Sequence, residues 1–329
     1  MLTVGVDLGG TKVAIAVVDS SGKVLFSERI ATRDDQGPDV VISDLVDGVR
    51  NSFGQISERP LGVGIGVAGQ VDDLSGAVLF APNLQWRDVP LKAELEEALD
   101  LPVFVTNDVR AATWGEWLHG AGLGVADLVC VFVGTGIGGG VISGGRMLHG
   151  CSNTAGEVGH MTVVTDGRKC SCGGRGCVEA YAGGWALAAR AQERLQDDPE
   201  IGRAILDQAG DAQSVTAATI GQAYLEGDDL ARQIIEEAIR HLAAATVTIV
   251  NAFNPCRIIL GGGVIRGIPE IVEAVDEIVR SRALSTALTG LKIVPSDLLG
   301  NAGAIGAGAF ARLSATGEVS RLIQDHQQQ

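Results

Sequence analysis

The sequence predicts an α/β protein of about two domains with an internal duplication. Its 329 residues are 46% hydrophobic and 20% charged, which is enough for a well-buried core and more than one domain usually contains. The chain begins as strand, glycine turn and strand, and continues with a third strand, a helix and a buried strand. The second half repeats the order of strand, glycine loop, strand and turn, which indicates a weak duplication.

The elements of the first half follow from local patterns. Runs rich in β-branched residues and separated by turns predict three strands, over LTVGVD, KVAIAVVD and VLFSERI. Apolar residues at helical spacing predict a helix from Asp39 to Phe53, and LGVGIGVAG is typical of a buried strand. A helix from Leu91 to Leu99 comes next, and then the strand PVFVTND, which ends on two polar residues. An alanine-rich helix is predicted to start at Arg110.

The second half follows the same logic. LVCVFVG and GGVISGG predict two strands around a glycine-rich turn, and CRIIL predicts a strand that ends in three glycines. Helical patterns cover Ala186 to Leu195 and Asp229 to Asn251, and a helix of small residues covers Ala302 to Leu313. The terminal QDHQQQ is expected to fray.

Charge and cysteine content exclude several classes of protein. Forty acidic and 25 basic residues give a formal charge of −15, which repels nucleic acid and anionic membranes and predicts neither as a partner. The start MLTVGVDLGG fits neither a signal peptide nor a membrane span. Six cysteines are few for a disulfide scaffold, so the expected compartment is the reducing cytoplasm.

The turn DLGGTK has the composition of a phosphate-binding loop. Its glycines let the backbone approach an anion, and a hydroxyl and an ammonium group can bind phosphate oxygens. The carboxylate can hold a magnesium ion through water. The candidate residues are Asp7, Gly9, Gly10, Thr11 and Lys12. Taken alone, the same letters also suit an ordinary hairpin turn.

Two further glycine clusters each follow a predicted strand. GTGIGG at residues 134–139 satisfies the dinucleotide pattern G-x-G-x-x-G, but that pattern requires a helix next, and GVISGG predicts another strand. We therefore expect a second hairpin with an anion-binding loop rather than a Rossmann motif. Gly261 to Gly263 precede a helical pattern that begins near Pro269, and they can admit a nucleotide base or simply end a strand.

The stretch KCSCGGRGCVEAY is a candidate metal site. Cys170, Cys172 and Cys177, with His160 upstream, supply the four sulfur and nitrogen ligands that zinc prefers. Iron–sulfur binding would want a fourth cysteine, and free thiols remain the alternative to zinc. Cys130, Cys151 and Cys256 are expected to be ordinary buried or half-buried residues.

Two glutamates flank this candidate metal site. Glu157 precedes His160 by three residues and Glu179 follows Cys177 by two, so a bound metal would fix both carboxylates by holding their loops. Carboxylates are good acceptors for sugar hydroxyls. Taken singly, each glutamate would be interpreted as a solvated surface residue, and the shared metal frame reverses that interpretation.

Three segments together resemble the ROK family of sugar kinases and repressors: DLGGTK, GTGIGGGVISGGRMLHGCSNTAGEVGH and CSCGGRGCVEA. The resemblance covers essentially the whole chain. It implies a two-domain actin-like ATPase (ribonuclease H-like) fold with an active-site cleft between the domains, and a homodimer or homotetramer. The implied domains are residues 1–118 and 119–300, with a C-terminal helix at about 301–315 that packs back on the first.

The resemblance also implies roles for individual residues. The first phosphate loop would comprise Asp7, Gly9, Gly10, Thr11 and Lys12, the second Gly134, Thr135 and Gly136, and the nucleoside loop Gly261, Gly262 and Gly263. The zinc ligands would be His160, Cys170, Cys172 and Cys177. The sugar would be held by Asn83, Asn107, Asp108, Glu157, His160 and Glu179, with Asp108 as catalytic base. Asp108 could also be the N-cap of the following helix, and the two roles are compatible.

Two segments depart from the family pattern. Val67-Ala68-Gly69 stands where the family often has Gly-Pro-Gly, and the run from Asn107 to Ala112 replaces the glucokinase motif Asn-Asp-Ala-Asn-Ala-Ala. Arg110 therefore stands where a small polar residue is usual. Its cation could contact substrate or phosphate, and we expect it to point to solvent instead.

The function that the resemblance implies is ATP- and magnesium-dependent phosphorylation of a hexose at its 6-hydroxyl, with glucose as the expected substrate. Alternatives within the family are kinases of N-acetylglucosamine, N-acetylmannosamine, fructose or mannose, and polyphosphate as donor. A sugar-responsive repressor is the alternative from another class. It is disfavoured because family repressors carry a helix-turn-helix segment before the first phosphate loop, which here begins at Asp7.

Overall fold

The structure is a computed structural model that describes residues 1–72 and 74–323. The tail expected to fray lies outside these residues. Thirteen strands occur in the described part of the chain: β1 (Leu2–Leu8), β2 (Lys12–Asp19), β3 (Val24–Ala31), β4 (Val63–Val67), β5 (Gln70–Val71), β6 (Val78–Ala81), β7 (Trp86–Val89), β8 (Val103–Asn107), β9 (Leu128–Val133), β10 (Ile137–Ser143), β11 (Arg146–Met147), β12 (Arg257–Gly261) and β13 (Lys292–Pro295).

Eleven α-helices accompany these strands within the same residues. They are α1 (Pro38–Phe53), α2 (Leu91–Leu99), α3 (Asp108–His119), α4 (Glu179–Ala182), α5 (Gly184–Asp197), α6 (Arg203–Ala209), α7 (Ala217–Leu225), α8 (Asp229–Phe253), α9 (Gly263–Gly267), α10 (Glu270–Arg282) and α11 (Ala302–Ala315). None of the helices in the described chain is both long enough and apolar enough to cross a bilayer.

The chain divides into two compact units. Unit 1 comprises residues 1–126, 140–155 and 297–329, and unit 2 comprises 127–139 and 156–296. Unit 1 therefore takes in residues 140–155, which the sequence-based boundaries place in the second domain. Its main sheet has the order β3-β2-β1-β4-β8, and a small sheet has the order β5-β6-β7. A further five-stranded sheet has the order β11-β10-β9-β12-β13, and the division between the units falls within β10.

Strands β1, β4 and β8 run parallel and end together at one edge of the main sheet of unit 1. Leu8 pairs with Val67, and Val67 pairs with Asn107, so the last residues of the three strands form one row. Loops at the carboxyl ends of parallel strands are where α/β proteins bind ligands. This register places the loops after residues 8, 67 and 107 side by side.

Helix α11 packs on the main sheet and on α3 of unit 1 through unusually small residues. A Cβ at Gly5 would lie 1.8 Å from the Ala304 carbonyl oxygen, and one at Gly64 would lie 1.9 Å from that of Ala307. A Cβ at Gly306 would lie 1.7 Å from the Ala111 carbonyl oxygen. Glycine is therefore required where the backbones approach, which explains the glycine- and alanine-rich sequence of this helix.

Most predicted elements are confirmed, but one helix starts earlier than expected, and the sequence did not predict α4, α6, α7, α9, β13 or the small sheet. Helix α3 begins at Asp108, two residues before the predicted start. The helix expected near Pro269 is confirmed as α10, which begins at Glu270 with Pro269 as its N-cap. The last glycine cluster also leads straight into the short helix α9 at Gly263, which was not predicted. The small sheet β5-β6-β7 was not predicted, because its strands are two to four residues long and carry no clear alternation.

Candidate active site

The first glycine loop forms a tight turn between β1 and β2. The Gly9 amide donates to the Lys12 carbonyl at 3.1 Å, which closes the turn. Thr32 holds the loop from outside: its hydroxyl donates to the Gly9 carbonyl at 2.8 Å, and its amide donates to the Thr11 carbonyl at 3.1 Å. The loop is therefore held in place by its own backbone and by Thr32, which leaves the Lys12 side chain available for a ligand.

Asn83 lies directly beside this loop. It belongs to a short 3-10 turn, Pro82–Leu84, between β6 and β7. A Cβ at Gly10 would lie 2.7 Å from the Asn83 carbonyl oxygen and 2.9 Å from its Cβ, so only glycine fits there. Unit 1 thus places a predicted sugar-binding residue against the predicted phosphate loop.

Asn107 and Asp108 stand at the junction between β8 and α3. Asn107 is the N-cap, since its side-chain oxygen accepts the Arg110 amide at 3.1 Å. Its side-chain nitrogen donates to the Gly69 carbonyl at 3.2 Å and to Oδ1 of Asp108 at 3.0 Å. The expectation that Asp108 is the N-cap is wrong: Asp108 is the first residue inside the helix, so capping does not occupy its carboxylate.

Asp7 and Asp108 are electrostatic neighbours in unit 1. Burial raises the pKa of Asp7 to about 7, and the charge of Asp108 adds to this shift, while Lys12 and Arg29 oppose it. A Cβ at Gly303, in the first turn of α11, would lie 2.6 Å from the Asp7 carboxyl group, so α11 covers this side chain closely. Two carboxylates that repel each other in this way favour the binding of a cation between or beside them.

The raised pKa of Asp7 predicts a pH-dependent effect of Asp7→Asn. Between pH 3.8 and about 7 the folded protein binds a proton that the unfolded chain releases, so Asp7 makes stability fall as pH rises through this window. The variant removes this cost, so its free energy of unfolding should exceed that of the wild type at pH 8 by as much as about 4 kcal/mol, and the two should converge near pH 4. Urea unfolding at both pH values measures the difference.

Asp19→Asn is the matched control, and it should change the free energy of unfolding in the opposite direction. Ser21 donates to the Asp19 carboxylate and lowers its pKa, so Asp19 contributes stability above its unfolded pKa. The control should be slightly less stable than the wild type at pH 8. An Asp7→Asn protein that is no more stable at pH 8 than the wild type would contradict the raised pKa.

Arg110 does not point to solvent, and that expectation is wrong. Only 6% of the residue is exposed. Its guanidinium group donates to the side-chain oxygen of Asn153 and, at 2.9 Å, to the Asn153 carbonyl oxygen, and it lies 3.4 Å from Nδ1 of His149. These three residues all belong to unit 1.

The two other glycine loops are neighbours in unit 2. Gly134 and Thr135 follow β9, and their carbonyls accept the amides of Gly184 and Trp185 at 2.9 and 3.0 Å. Gly262 follows the parallel strand β12 with φ of 93°, and a Cβ there would lie 2.3 Å from the Val133 carbonyl oxygen. GTGIGG leads into β10 and not into a helix, which confirms that it is not a Rossmann motif.

Gly134 and Gly263 have no steric need to be glycine. A Cβ at either position would meet nothing within 4 Å, and neither residue has a positive φ. Glycine at an open position of this kind leaves room for a ligand to approach the backbone. The structure therefore brings together the two loops that the sequence associates with the nucleotide.

The three cysteines and His160 converge in unit 2. One ligand atom from each of the four residues lies within 4.8 Å of the others. Sγ of Cys172 and Sγ of Cys177 are 3.7 Å apart, as are Sγ of Cys170 and Nδ1 of His160. Tetrahedral bonds of about 2.3 Å to sulfur would place two sulfurs about 3.8 Å apart. The donor set and its spacing thus fit a zinc ion.

Glu157 lies on the far side of the His160 ring from the cysteines. Its Oε2 is 3.9 Å from Nε2 of His160, whereas Nδ1 faces Cys170. The side chain of Glu157 is 57% exposed and that of His160 is 34% exposed. One ring nitrogen can therefore serve a metal while the other lies beside the glutamate, and both side chains are partly exposed.

Glu179 is buried and forms several hydrogen bonds. Its Oε1 accepts from the Ser171 hydroxyl at 2.9 Å and from the Trp185 indole at 3.1 Å, and its Oε2 accepts from the Ile137 amide at 2.9 Å. Sγ of Cys170 also approaches Oε1, at 3.7 Å. Glu179 thus connects the cysteine loop to the glycine loop at residues 134–137.

Several residues of this arrangement were missed by the sequence analysis. Ser171 and Trp185 donate hydrogen bonds to Glu179, and Thr32 holds the first glycine loop. Asn153 and His149 contact the guanidinium group of Arg110. Ser171 alone carried a signal, since it lies between two candidate ligands. Cys151 and Cys256 are exposed, so the expectation that they are buried or half-buried is wrong for both.

The sequence is similar to those of known proteins that share a family. Residues 3–313 match the sequence model of the ROK family. A glucokinase of Streptomyces coelicolor is 37% identical over 263 residues, which are 80% of this chain and 82% of that protein. A xylose repressor of Caldicellulosiruptor bescii is 32% identical over 309 residues, which are 92% of this chain and 76% of the repressor.

A solved structure supports the same assignment. The ROK family glucokinase from Streptomyces griseus, crystallised with glucose and AMPPNP, matches with a TM-score of 0.82 at 37% identity over 95% of this chain and 99% of that chain. This likeness confirms the expected actin-like ATPase fold. Because the family model spans almost the whole sequence and the fold agrees, this protein belongs to the ROK family.

Proposed function

We propose that the protein is a sugar kinase of the glucokinase type, which transfers the γ-phosphoryl group of ATP to the 6-hydroxyl of glucose. One observation carries the proposal: parallel strands of unit 1 place Asp7 and Asp108 within electrostatic reach of each other, with the Gly9–Lys12 loop and Asn83 alongside. Phosphoryl transfer needs these parts, namely a base for the acceptor hydroxyl, groups that neutralise phosphate charge, and a site that orients the sugar.

Asp108 is the general base in this proposal. A hexose hydroxyl is a poor nucleophile, and a carboxylate positioned beside it accepts its proton as the bond to phosphorus forms. Asn107 caps the helix in its place and donates to Asp108, which fixes the orientation of that carboxylate. Asn83 and Asn107 hold sugar hydroxyls from the same unit, and Glu157, His160 and Glu179 supply the remaining sugar contacts.

The two nucleotide loops of unit 2 and the turn after β1 hold ATP. Gly134, Thr135 and Gly136 line the phosphates, Gly261 to Gly263 admit the nucleoside, and Thr11 and Lys12 bind phosphate oxygens. Asp7 would hold Mg²⁺ through water, and that ion neutralises phosphate charge when bound. Ionisation of Asp7 is disfavoured in the protein alone, so cation binding and loss of its proton are coupled.

The cluster of His160 and three cysteines is a structural zinc site in this proposal. All four ligand positions are supplied by the protein, which is typical of a closed structural site and not of a catalytic one. Burial raises the pKa of the Cys177 thiol to about 12, so a stable thiolate at Cys177 needs a metal cation. The ion would hold the loops of Glu157 and Glu179 in place.

A sugar-responsive regulator is the second candidate, because xylose repressors are among the relatives. The kinase is favoured because Asp108 and the glycine loop after β1 supply parts that phosphoryl transfer needs. The glucokinases of Halalkalibacterium halodurans and Thermotoga maritima are each 33% identical to this chain. A cytoplasmic location and a homodimer or homotetramer stay predictions of the sequence.

An assay of ADP release tests the proposed function. The purified protein with magnesium ATP is offered glucose, mannose, fructose, N-acetylglucosamine and N-acetylmannosamine in parallel, with polyphosphate as an alternative donor. We expect the largest kcat/KM with glucose. A preference for an N-acetyl sugar would overturn the substrate, and sugar binding without any turnover would favour the regulator.

A further inference from the structure

The buried contacts of Arg110 connect two parts of unit 1 that the proposed function assigns to the sugar. Arg110 is the third residue of α3, two residues after Asp108. A cation in the first turn of a helix is opposed by the helix dipole, and a buried arginine requires hydrogen-bond partners. Helix stability therefore does not explain an arginine at this position, whereas its tertiary contacts do.

Asn153 receives the guanidinium group through two different oxygens. Arg110 donates to its side-chain oxygen and, at 2.9 Å, to its carbonyl oxygen. Asn153 has φ of 59°, a left-handed conformation that asparagine tolerates better than most residues. His149 lies within 3.0 Å of the same side-chain oxygen. The forked geometry of arginine suits this pair of acceptors, and lysine cannot reproduce it.

The Asn153 amide group extends the connection to the small sheet. Its nitrogen donates to the Val71 carbonyl of β5 at 3.0 Å. Asn107 makes a parallel connection, since its side chain donates to the Gly69 carbonyl just before β5. The start of α3 is thus tied twice to the segment at residues 69–71, which pairs with β6. Asn83 lies in the turn that follows β6.

We propose that Arg110 is a positioning residue for the sugar: through Asn153 it holds the small sheet β5-β6-β7, and with it Asn83, in register with the helix turn that carries Asp108. This inference rests on the proposed function, because it takes Asn83 and Asp108 as the sugar-holding and catalytic groups. Arg110 acts through its neighbours and does not touch the reacting atoms.

Steady-state kinetics of Arg110→Met and Asn153→Gly test the proposal. Methionine keeps much of the side-chain volume without the donors, and glycine keeps the left-handed backbone without the amide group. We expect each variant to raise KM for glucose about tenfold, because a small displacement of the sugar relative to its base is costly. KM for magnesium ATP should change less than twofold. KM for glucose in the double variant should be no higher than in either single variant, because the two substitutions break the same connection.

Arg190→Met is the matched control for loss of a buried arginine. Arg190 lies in unit 2, and it donates to the Tyr181 carbonyl at 2.9 Å and to Glu237. The control should lower the melting temperature without changing KM for glucose. A KM for glucose within twofold of wild type in both Arg110→Met and Asn153→Gly would overturn the proposal. So would an equal rise in both Michaelis constants, which would instead indicate direct contact of Arg110 with phosphate.

Measurements on the wild-type protein distinguish a failure of this proposal from a failure of the proposed function. Turnover by the wild type with the sugar panel tests the function alone, whereas the ratio of variant to wild type tests Arg110. If the wild type binds a sugar but does not turn it over, the proposed function fails. The Arg110 proposal is then tested by calorimetry, which should give a dissociation constant for that sugar about tenfold higher in the variants than in the wild type. A wild type that binds none of the sugars contradicts both.

Discussion

Asp108→Asn lowers kcat for glucose by about a thousandfold, because a positioned general base contributes roughly 10² to 10⁴ in rate. Asparagine keeps the size of the side chain and an oxygen that can accept the Asn107 amide, so the helix junction should survive. The dissociation constant for glucose should rise less than tenfold. Single-turnover kinetics and calorimetry on the same preparation separate the two effects.

Asp229→Asn is the matched control for this variant. Asp229 is the first residue of α8 and follows an N-cap, Asp228, just as Asp108 is the first residue of α3 and follows Asn107. Both substitutions therefore remove the same favourable interaction with a helix dipole. The control should keep wild-type kcat. If Asp108→Asn lowered kcat by less than tenfold, Asp108 would be excluded as the base.

Cys172→Ser should abolish zinc binding and lower the melting temperature by about 10 °C, because loss of a structural metal is among the few single changes that cost several kcal/mol. Without a metal, the cysteine loop is held by hydrogen bonds, such as that from the Cys170 amide to the Gly174 carbonyl at 2.9 Å, and by the packing of Cys170 and Cys177 against Tyr181. Atomic absorption of the dialysed protein should give one zinc per wild-type chain, and calorimetry gives the melting temperature.

Cys256→Ser controls for the loss of a thiol. Cys256 is exposed and lies outside the metal cluster. The Cys256→Ser protein should bind one zinc ion per chain and have the melting temperature of the wild type. A wild-type protein without zinc, or a Cys172→Ser protein with unchanged stability and unchanged glucose affinity, would contradict the assignment of the cluster as a structural zinc site.

The glycine loops and the cysteine cluster could be predicted from the sequence because their chemistry is local. A tight turn at Gly9 and Gly10, or three cysteines within eight residues, has the same meaning wherever the fold places it. The parallel order of β1, β4 and β8 also follows from buried strands alternating with helices. These features locate the candidate phosphate loop, Asn107 and Asp108.

The role of Arg110 could not be predicted, because its partners are distant in sequence. Asn153 is 43 residues away, and nothing in the local pattern says that an arginine in a first helical turn is buried. The start of α9 was missed for a related reason, since Gly262 takes its positive φ from close contact with Val133 on a neighbouring strand. Tertiary packing decides both cases.

³¹P NMR of the wild-type protein with glucose and magnesium ATP tests most directly whether the protein phosphorylates glucose at its 6-hydroxyl. We expect the γ-phosphate signal to disappear as ADP and a phosphomonoester coupled to the C6 protons of glucose appear in equal amounts. The Asp108→Asn variant should produce neither on the same timescale. Inorganic phosphate without a sugar phosphate, or unchanged ATP at saturating glucose, would contradict the proposed function.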